Sequence, residues 1–548
     1  MAITVDMSWV FDYVGCIAVI GLLYFVLVGV WRLHLSPISH TPGPRLAAMT
    51  WAYEFYYDAV LGGKYTFKII DLHRQYGPVV RINPDEVHVG DPDFYSVLYG
   101  APDRRRQKWK IYTKQFCADE STLSTIDHDR HKLRRAAMEP YFSKLSVRRL
   151  QHVIEERVDA LLDRFQRLQK ESLNPRQPID LKYPFSAFTN DVINEYAFAR
   201  CDHLVEDPSF GKAITDNLLV QTRYGKWNRH IDVILKLVKI LPESISRRVI
   251  PGMDNLLKTS RDMHAQIYKI KASGNTAKWK DGVDRATVFH ELMASNTLPH
   301  FEKTLQRLTQ EAQTIQRCGI LTTSRVLTLA TLHLLYRPSA LRRLRLELIA
   351  AMPDPHVTVP LGELEQLPYL RAVVREALRL SAGTNERLTR VCPDEDLIYY
   401  DSASGKEYVI PAGAALSMTT YKTVMDPELF PDPGCFYPER WLEDGRVQRR
   451  QPPRQCHVLE KYLTVFGGGT RQCLGLDLAY AEIYLVIAKL FRVWGNGDED
   501  DNERPLGEVG VIRLVETTPR GCQLASDSLT PFPYRVSDEI QVIFEAYD

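Results

Sequence analysis

The chain's 548 residues carry 69 Lys and Arg against 68 Asp and Glu, a formal net charge of +1, with 45% hydrophobic and 25% charged side chains. That composition is globular, and nothing in the even charge suggests nucleic acid or an acidic polymer as partner. Nine cysteines, with no C-x-x-C pair and no repeated spacing, exclude a zinc ribbon and a disulfide scaffold and fit a reduced, cytosol-facing setting.

From the N-terminus, "YVGCIAVIGLLYFVLVGVW" runs from Tyr13 to Trp31 without a charged residue. As a helix it spans about 28 Å, enough to cross a bilayer. Its length, and the lack of Lys or Arg before it, set it apart from a cleaved signal peptide. Arg32, His34 and Arg45 follow it, which by the positive-inside tendency leaves the chain beyond in the cytosol. Residues 1–36 are therefore expected to be a membrane anchor. Pro37, Pro42, Pro44 and Gly43 then stop the helix and make a stiff hinge at 37–44. Residues 37–548 are expected to form one body, because no later stretch has the composition of a linker.

Within that body, 76–92 alternates apolar and polar residues between turn signals, the pattern of a hairpin of short strands. Apolar residues recur at helical spacing from about Leu145 to Tyr196, from Phe289 to Leu335, and again over 364–380. Strand-like segments surround "EYVIPAGAALSM", a proline-rich coil runs from Asp426 to Trp441, and the acidic 497–504 is expected as a solvated loop. The expected fold is mainly α with minor β.

The chemistry is concentrated in "FGGGTRQCLG", residues 466–475. Gly467, Gly468 and Gly469 let the backbone turn sharply and a flat ligand approach. The helical pattern that follows places Cys473 at a helix N-terminus, where free N–H groups favour thiolate over thiol. Arg471, two residues earlier, supplies a cation suited to a carboxylate. A thiolate, a carboxylate-binding arginine and a glycine-walled slot together describe a haem held by cysteine.

This stretch resembles the haem-binding loop of the cytochrome P-450 monooxygenases, F-x-x-G-x-R-x-C-x-G, at Phe466, Gly469, Arg471, Cys473 and Gly475. "EALR" matches the family's E-x-x-R at Glu376 and Arg379, and "YPERW" supplies Arg440, similar to the third member of that ion set. The resemblance covers essentially everything from the anchor to the C-terminus. It implies the cytochrome P-450 fold and haem b, with the Cys473 thiolate on the iron. Glu376, Arg379 and Arg440 are then structural. "HDRHKLRRAAMEPYF" looks like the helix crossing one haem edge, which implies His131 and Arg135 as propionate partners, and Arg390 in "ERLTRV" as another.

The family's long central helix reads [AG]-G-x-[DE]-T-[TS], and here the match is "CGILTT". Gly319 and Thr322 stand in place, implied as the residues that admit O2 and relay protons. Leu321 occupies the acid's position and can neither carry charge nor donate a proton. Two enzyme readings stay open on the sequence. One is a monooxygenase inserting one oxygen atom from O2 into a lipophilic small molecule, such as a terpenoid, polyketide or alkaloid secondary metabolite. The other is a haem-thiolate isomerase, dehydratase or radical-coupling enzyme without net oxygen insertion. A non-catalytic haem sensor or membrane binding protein is a third, against which the full motif set argues. Retention of Thr322 favours the monooxygenase.

The resemblance further implies the endoplasmic reticulum membrane, a single-pass topology, and electrons from an NADPH–cytochrome reductase, with cytochrome b5 as a second donor. Arg148, Arg149, Arg454 and Lys461 are basic residues near the cysteine face suited to such an acidic partner. The pocket is expected from parts of 101–126, 208–256, 308–323, 380–388 and 527–532. These are mostly apolar, which favours a largely uncharged substrate.

Overall fold

The structure, a computed structural model, describes residues 8–100, 103–171, 178–231, 245, 253–273, 277–278, 284–443, 456–495, 506–515, 517–519, 524–528, 530–533 and 540–546. Arg454 and the acidic 497–504, together with much of 232–252, lie outside the described residues.

The N-terminal helix α1 is Ser8–Val30, continued by a wider helical turn over Trp31–Leu35. Its apolar stretch Gly15–Leu35 is long and apolar enough to cross a membrane, and Ile17, Leu23, Phe25 and Leu27 all face outward. Leu305–Tyr336 passes the same length test, but it is mostly buried and is the core helix of the body. The hinge is tied down. Gly43 packs so tightly on the next strand that a Cβ would lie 2.3 Å from the Arg81 carbonyl. The Arg81 backbone N–H donates to Pro42 O at 2.7 Å, and its guanidinium reaches Arg32 O (2.7 Å) and Pro84 O (2.6 Å).

The expected hairpin forms as β1 (Val79–Arg81) and β2 (Glu86–Val89), antiparallel with Val79 opposite Val89. They belong to a five-stranded sheet with β3 (Gln107–Lys108), β4 (Arg390–Val391) and β5 (Ala415–Ser417), in the order β1-β2-β5-β4-β3. The register between β3 and β4 sets Lys108 directly opposite Arg390, and this pairing matters for the site.

The larger part is helical: α2 (His128–Ala136), α3 (Gln151–Glu171), α4 (Lys182–Phe198), α5 (Lys212–His230), α6 (Met253–Ala272), α7 (Leu305–Tyr336), α8 (Pro338–Ala351), α9 (Pro368–Ser381) and α10 (Leu476–Val493). The central α7 packs against α4, α6, α9 and α10. The periodicity from Phe289 to Leu335 is split between a short helix, Val288–Ala294, and α7. The break is local chemistry. Pro299 interrupts the chain, and the Thr304 hydroxyl accepts the Arg307 N–H as the cap of α7. Most buried apolar residues of these helices join one core cluster running from Met138 to Phe544.

Candidate active site

The glycine-rich loop is shaped by its glycines. Gly467 and Gly469 have φ of +71° and +63°, and a Cβ on Gly469 would meet the Tyr99 carbonyl at 1.7 Å. The loop closes on itself, with Cys473 N donating to Phe466 O (2.9 Å) and Gln472 N to Gly469 O (3.0 Å). The Phe466 ring packs 5.3 Å from Tyr480 on α10. Helix α10 starts at Leu476 with Gly475 as its cap, so Cys473 lies two residues ahead of that cap. The cysteine sulfur accepts the Gly475 N–H. That bond and the nearby Arg135 lower its pKa, but burial dominates and pushes it up. A side chain at Gly475 would meet nothing within 4 Å. Protein packing therefore does not demand this glycine, whereas a flat group lying over it would.

Burial is the main reason both Cys473 and Cys318 have raised pKa values, the latter about 11, yet both cysteines have exposed surface. Groups deep in the fold that remain accessible face an internal void. The charge of Cys473 contributes to raising Cys318, so the two thiols share it, one on the loop and one on α7.

Along one edge the fold gathers cations. Lys108 is buried, donates to the Leu123 carbonyl, and is held well below the usual lysine range by burial, then by Arg471 and Arg390. His131 is buried with Nδ1 unpartnered; burial and then Arg471, Lys108, Arg135 and Arg390 push it down to about 2. Arg390 bonds the Thr389 carbonyl (3.0 Å) and lies 5.2 Å over the Tyr99 ring. Arg471 is lowered to about 9 by burial and then by Arg390. It donates to four carbonyls, those of Arg106 (3.1 Å), Thr125 (2.7 Å), Ile126 (2.7 Å) and Asp127 (3.3 Å). Within the protein, Arg471 thereby braces 125–127 against the loop. Arg135 likewise donates to Gln472 O (2.5 Å) and Glu139, on the cysteine side. Lys108, Arg390 and Arg471, crowded beside the uncharged His131 imidazole, fit a doubly anionic ligand, as the two propionates of haem b would be. Lys108 was missed in the sequence, and its only signal is the register that sets it beside Arg390.

Across the void, Thr322 Oγ donates to Cys318 O at 2.8 Å, a helical back-bond. Gly319 faces α4 instead, where a Cβ would meet Ile193 Cγ1 at 2.8 Å, so it lets α4 and α7 approach. Leu321 is buried in the main core. Glu482 on α10, also unread in the sequence, is buried and hydrogen-bonded to Thr323, with burial raising its pKa well above the carboxyl range.

Behind the loop, Glu376, Arg379 and Arg440 form one buried set. Arg379 grips Glu376 with two bonds (2.8 and 3.0 Å), Arg440 Nε donates at 3.1 Å, and Trp441 Nε1 and Tyr437 N add bonds of 2.8 and 2.9 Å. Arg379 also holds the carbonyls of Val424, Pro433 and Cys435, fastening α9 to the coil that leads toward Cys473.

The segments expected to line the pocket are more charged than their composition suggested. Lys226 and Arg229 of α5 meet Asp58 (2.6 and 3.2 Å), and Arg229 also meets Glu386 (2.6 Å), all buried. Among the basic residues assigned to a partner, Arg148 pairs with Glu365 and Lys461 with Asp93, both at 2.8 Å, while Arg149 is exposed.

A helical body with a glycine-walled thiol and a cation edge on one void has the architecture of a haem-thiolate enzyme. The family model described as Cytochrome P450 matches residues 42–505. The chain is 41% identical to the cytochrome P450 monooxygenase tpcC of Cochliobolus heterostrophus, over 93% of each chain. It is 38% identical to the N-acetyltryptophan 6-hydroxylase ivoC of Emericella nidulans, over 89% of this chain and 92% of that one. With the tryptophan 6-hydroxylase fscE of Fusarium equiseti the identity is 37%, over 96% of each. The chain belongs to the cytochrome P450 family and is a haem-dependent monooxygenase, with cysteine-thiolate ligation of the iron.

Proposed function

We propose that Cys473 would hold the haem iron through its thiolate and that Lys108, His131, Arg390 and Arg471 would receive the haem propionates, with Arg135 neutralising charge beside the sulfur. The observation that carries this is the shared void, with an accessible buried thiol on one wall and crowded basic side chains, held low chiefly by burial, along its edge. When bound, haem b supplies activation of O2 and insertion of one oxygen atom into a substrate bond. The chain's own contribution is to hold the sulfur with the Gly475 N–H, to neutralise the propionates, and to keep Phe466 against the sulfur side, which limits water. The test is the reduced-CO difference spectrum of the purified protein, where a thiolate-type band is expected and its absence overturns the reading.

Proton delivery falls to Thr322. Its hydroxyl, set by its bond to the Cys318 carbonyl, can accept a hydrogen bond from water, and turning away from that carbonyl frees its one proton to be passed on as another is taken up. Thr322→Ala is expected to raise hydrogen peroxide release and lower product formed per NADPH consumed; unchanged coupling would remove Thr322 from the relay. Leu321→Asp buries a carboxyl in the core, where burial raises its pKa and costs stability. A modest gain in coupling or weaker substrate binding is expected there, not a large gain.

The substrate class we infer is a lipophilic secondary metabolite such as a terpenoid, polyketide or alkaloid, supported by fungal relatives named as monooxygenases and as hydroxylases of tryptophan and N-acetyltryptophan. Those names favour oxygen insertion over an isomerase or coupling reaction. Residues 1–36 act as a single-pass anchor in the endoplasmic reticulum membrane, with the 37–548 body in the cytosol beside an NADPH–cytochrome reductase and cytochrome b5. The apolar, outward-facing α1 supports that reading. Deleting 1–36 is expected to release much of the protein from microsomes with haem binding kept. Protection of the intact body from protease added outside sealed microsomes would reverse the topology.

A further inference from the structure

We propose that Arg317 is a substrate-binding residue that takes a carboxylate, so that the preferred substrate is a lipophilic acid rather than a neutral molecule. The inference rests on the haem reading above. Arg317 lies on α7 one residue before Cys318, whose exposed thiol opens on the void, and five before Thr322. Its charge reaches Cys318 and Cys117, and no acidic group is among its electrostatic neighbours. Cys117 belongs to the 101–126 segment and accepts a bond from Asn228 of α5 at 2.9 Å, so the charge of Arg317 on α7 acts toward two of the other segments expected to line the pocket.

The other guanidiniums of α7 are accounted for. Arg307 pairs with Glu302 (3.2 Å) and Glu311 (2.8 Å), and Arg325 has partners within the chain. Arg317 has no ion pair and no hydrogen bond among the described residues, although it is half-buried and burial lowers its pKa. An unpaired guanidinium in such a place is costly, and it is stabilised once an anion arrives. Arg317 is also distinct from the propionate edge. The charges that act most on Lys108 and His131 include those of Arg471 and Arg390, whereas Arg317 acts on Cys318 and Cys117. One guanidinium balances one negative charge, and its planar fork matches a carboxylate in two parallel bonds, whereas a phosphate carries more charge than this site offers.

The probes are imidazol-1-yl alkanoic acids of graded chain length and their neutral carboxamides. Each binds the iron through its imidazole and is read by the red shift of the haem Soret band in the full-length holoenzyme. At the chain length that reaches Arg317, the acid is expected to bind roughly tenfold or more tightly than its amide. Arg317→Gln should abolish that preference and leave amide affinity unchanged, and Arg317→Lys, which keeps the charge but loses the fork, should retain part of it. Should Arg317→Gln fail to load haem, Arg317→Lys is read alone, with a reduced preference expected. Equal affinity of acid and amide at every length in the wild type, or an acid preference that persists in the variant, overturns the proposal. Failure of both acids and amides to shift the band would instead count against the haem site itself.

Discussion

Cys473→Ser protein is expected to lose the thiolate-type reduced-CO band completely, and Cys473→His to bind haem with a shifted band and no monooxygenase turnover. The reason is that the loop offers one sulfur and no substitute. Cys318 shares the void, but it sits on α7 across from the loop, with its thiol held protonated near pKa 11 chiefly by burial. The Gly475 N–H and Arg135 both act to lower the pKa of Cys473. A serine hydroxyl at this place is not an anion at neutral pH, so it gives the iron no comparable charge. The measurement is the CO difference spectrum with haem quantified separately, so that loss of ligation is told apart from loss of haem. A Cys473→Ala protein that kept the band would remove Cys473 from the iron and leave Cys318 as the thiol to examine.

What was legible in the sequence was chemistry packed into short windows. The loop from Phe466 to Gly475 announces itself because glycine backbone freedom, a thiol and an arginine fall within ten consecutive residues. The apolar helix α1 and the β1–β2 hairpin were legible for a similar reason: each is set by a local pattern of apolar residues. Lys108 was not legible. It lies in a two-residue strand with no periodicity, and it becomes meaningful only when the sheet register sets it against Arg390, far along the chain. Arg471 and Arg135 stand beside the loop, but a sequence does not say which carbonyls of the protein their guanidiniums will meet. The same limit hid Arg317. Its residue type was plain, whereas its lack of a partner is a property of everything packed around it. The split of the Phe289–Leu335 pattern shows the converse, since periodicity persisted across a break that Pro299 and the Thr304 cap impose.

Arg379→Ala is expected to lose haem and soluble protein together, with destabilisation of about 3–5 kcal/mol. Glu376 and Arg379 are fully buried and Arg440 nearly so. Removing Arg379 leaves Arg440 as the one guanidinium on the Glu376 carboxylate, beside the Trp441 and Tyr437 N–H groups, and strips the Val424, Pro433 and Cys435 carbonyls of that donor. Arg379→Lys should not rescue it, because one ammonium cannot make the two-bond grip on Glu376 and also hold those three carbonyls. The set also has a pH signature. Burial alone would raise Glu376, but Arg379 and Arg440, with the side-chain bond from Arg379 and the Tyr437 N–H, bring it down to about 2 from an ordinary 4.5. A carboxyl with a depressed folded-state pKa contributes stability that is fully present above its unfolded value and lost as pH falls through its folded value. The wild type is therefore expected to lose stability from this set between about pH 4.5 and pH 2. In Glu376→Gln that component of the acid sensitivity should be absent, on top of a lower stability at neutral pH. Denaturant unfolding at several pH values, followed by haem absorbance and by far-ultraviolet circular dichroism, measures both effects. A stable, haem-loaded Arg379→Ala enzyme with only slower turnover would move Arg379 from the structural set into the chemistry.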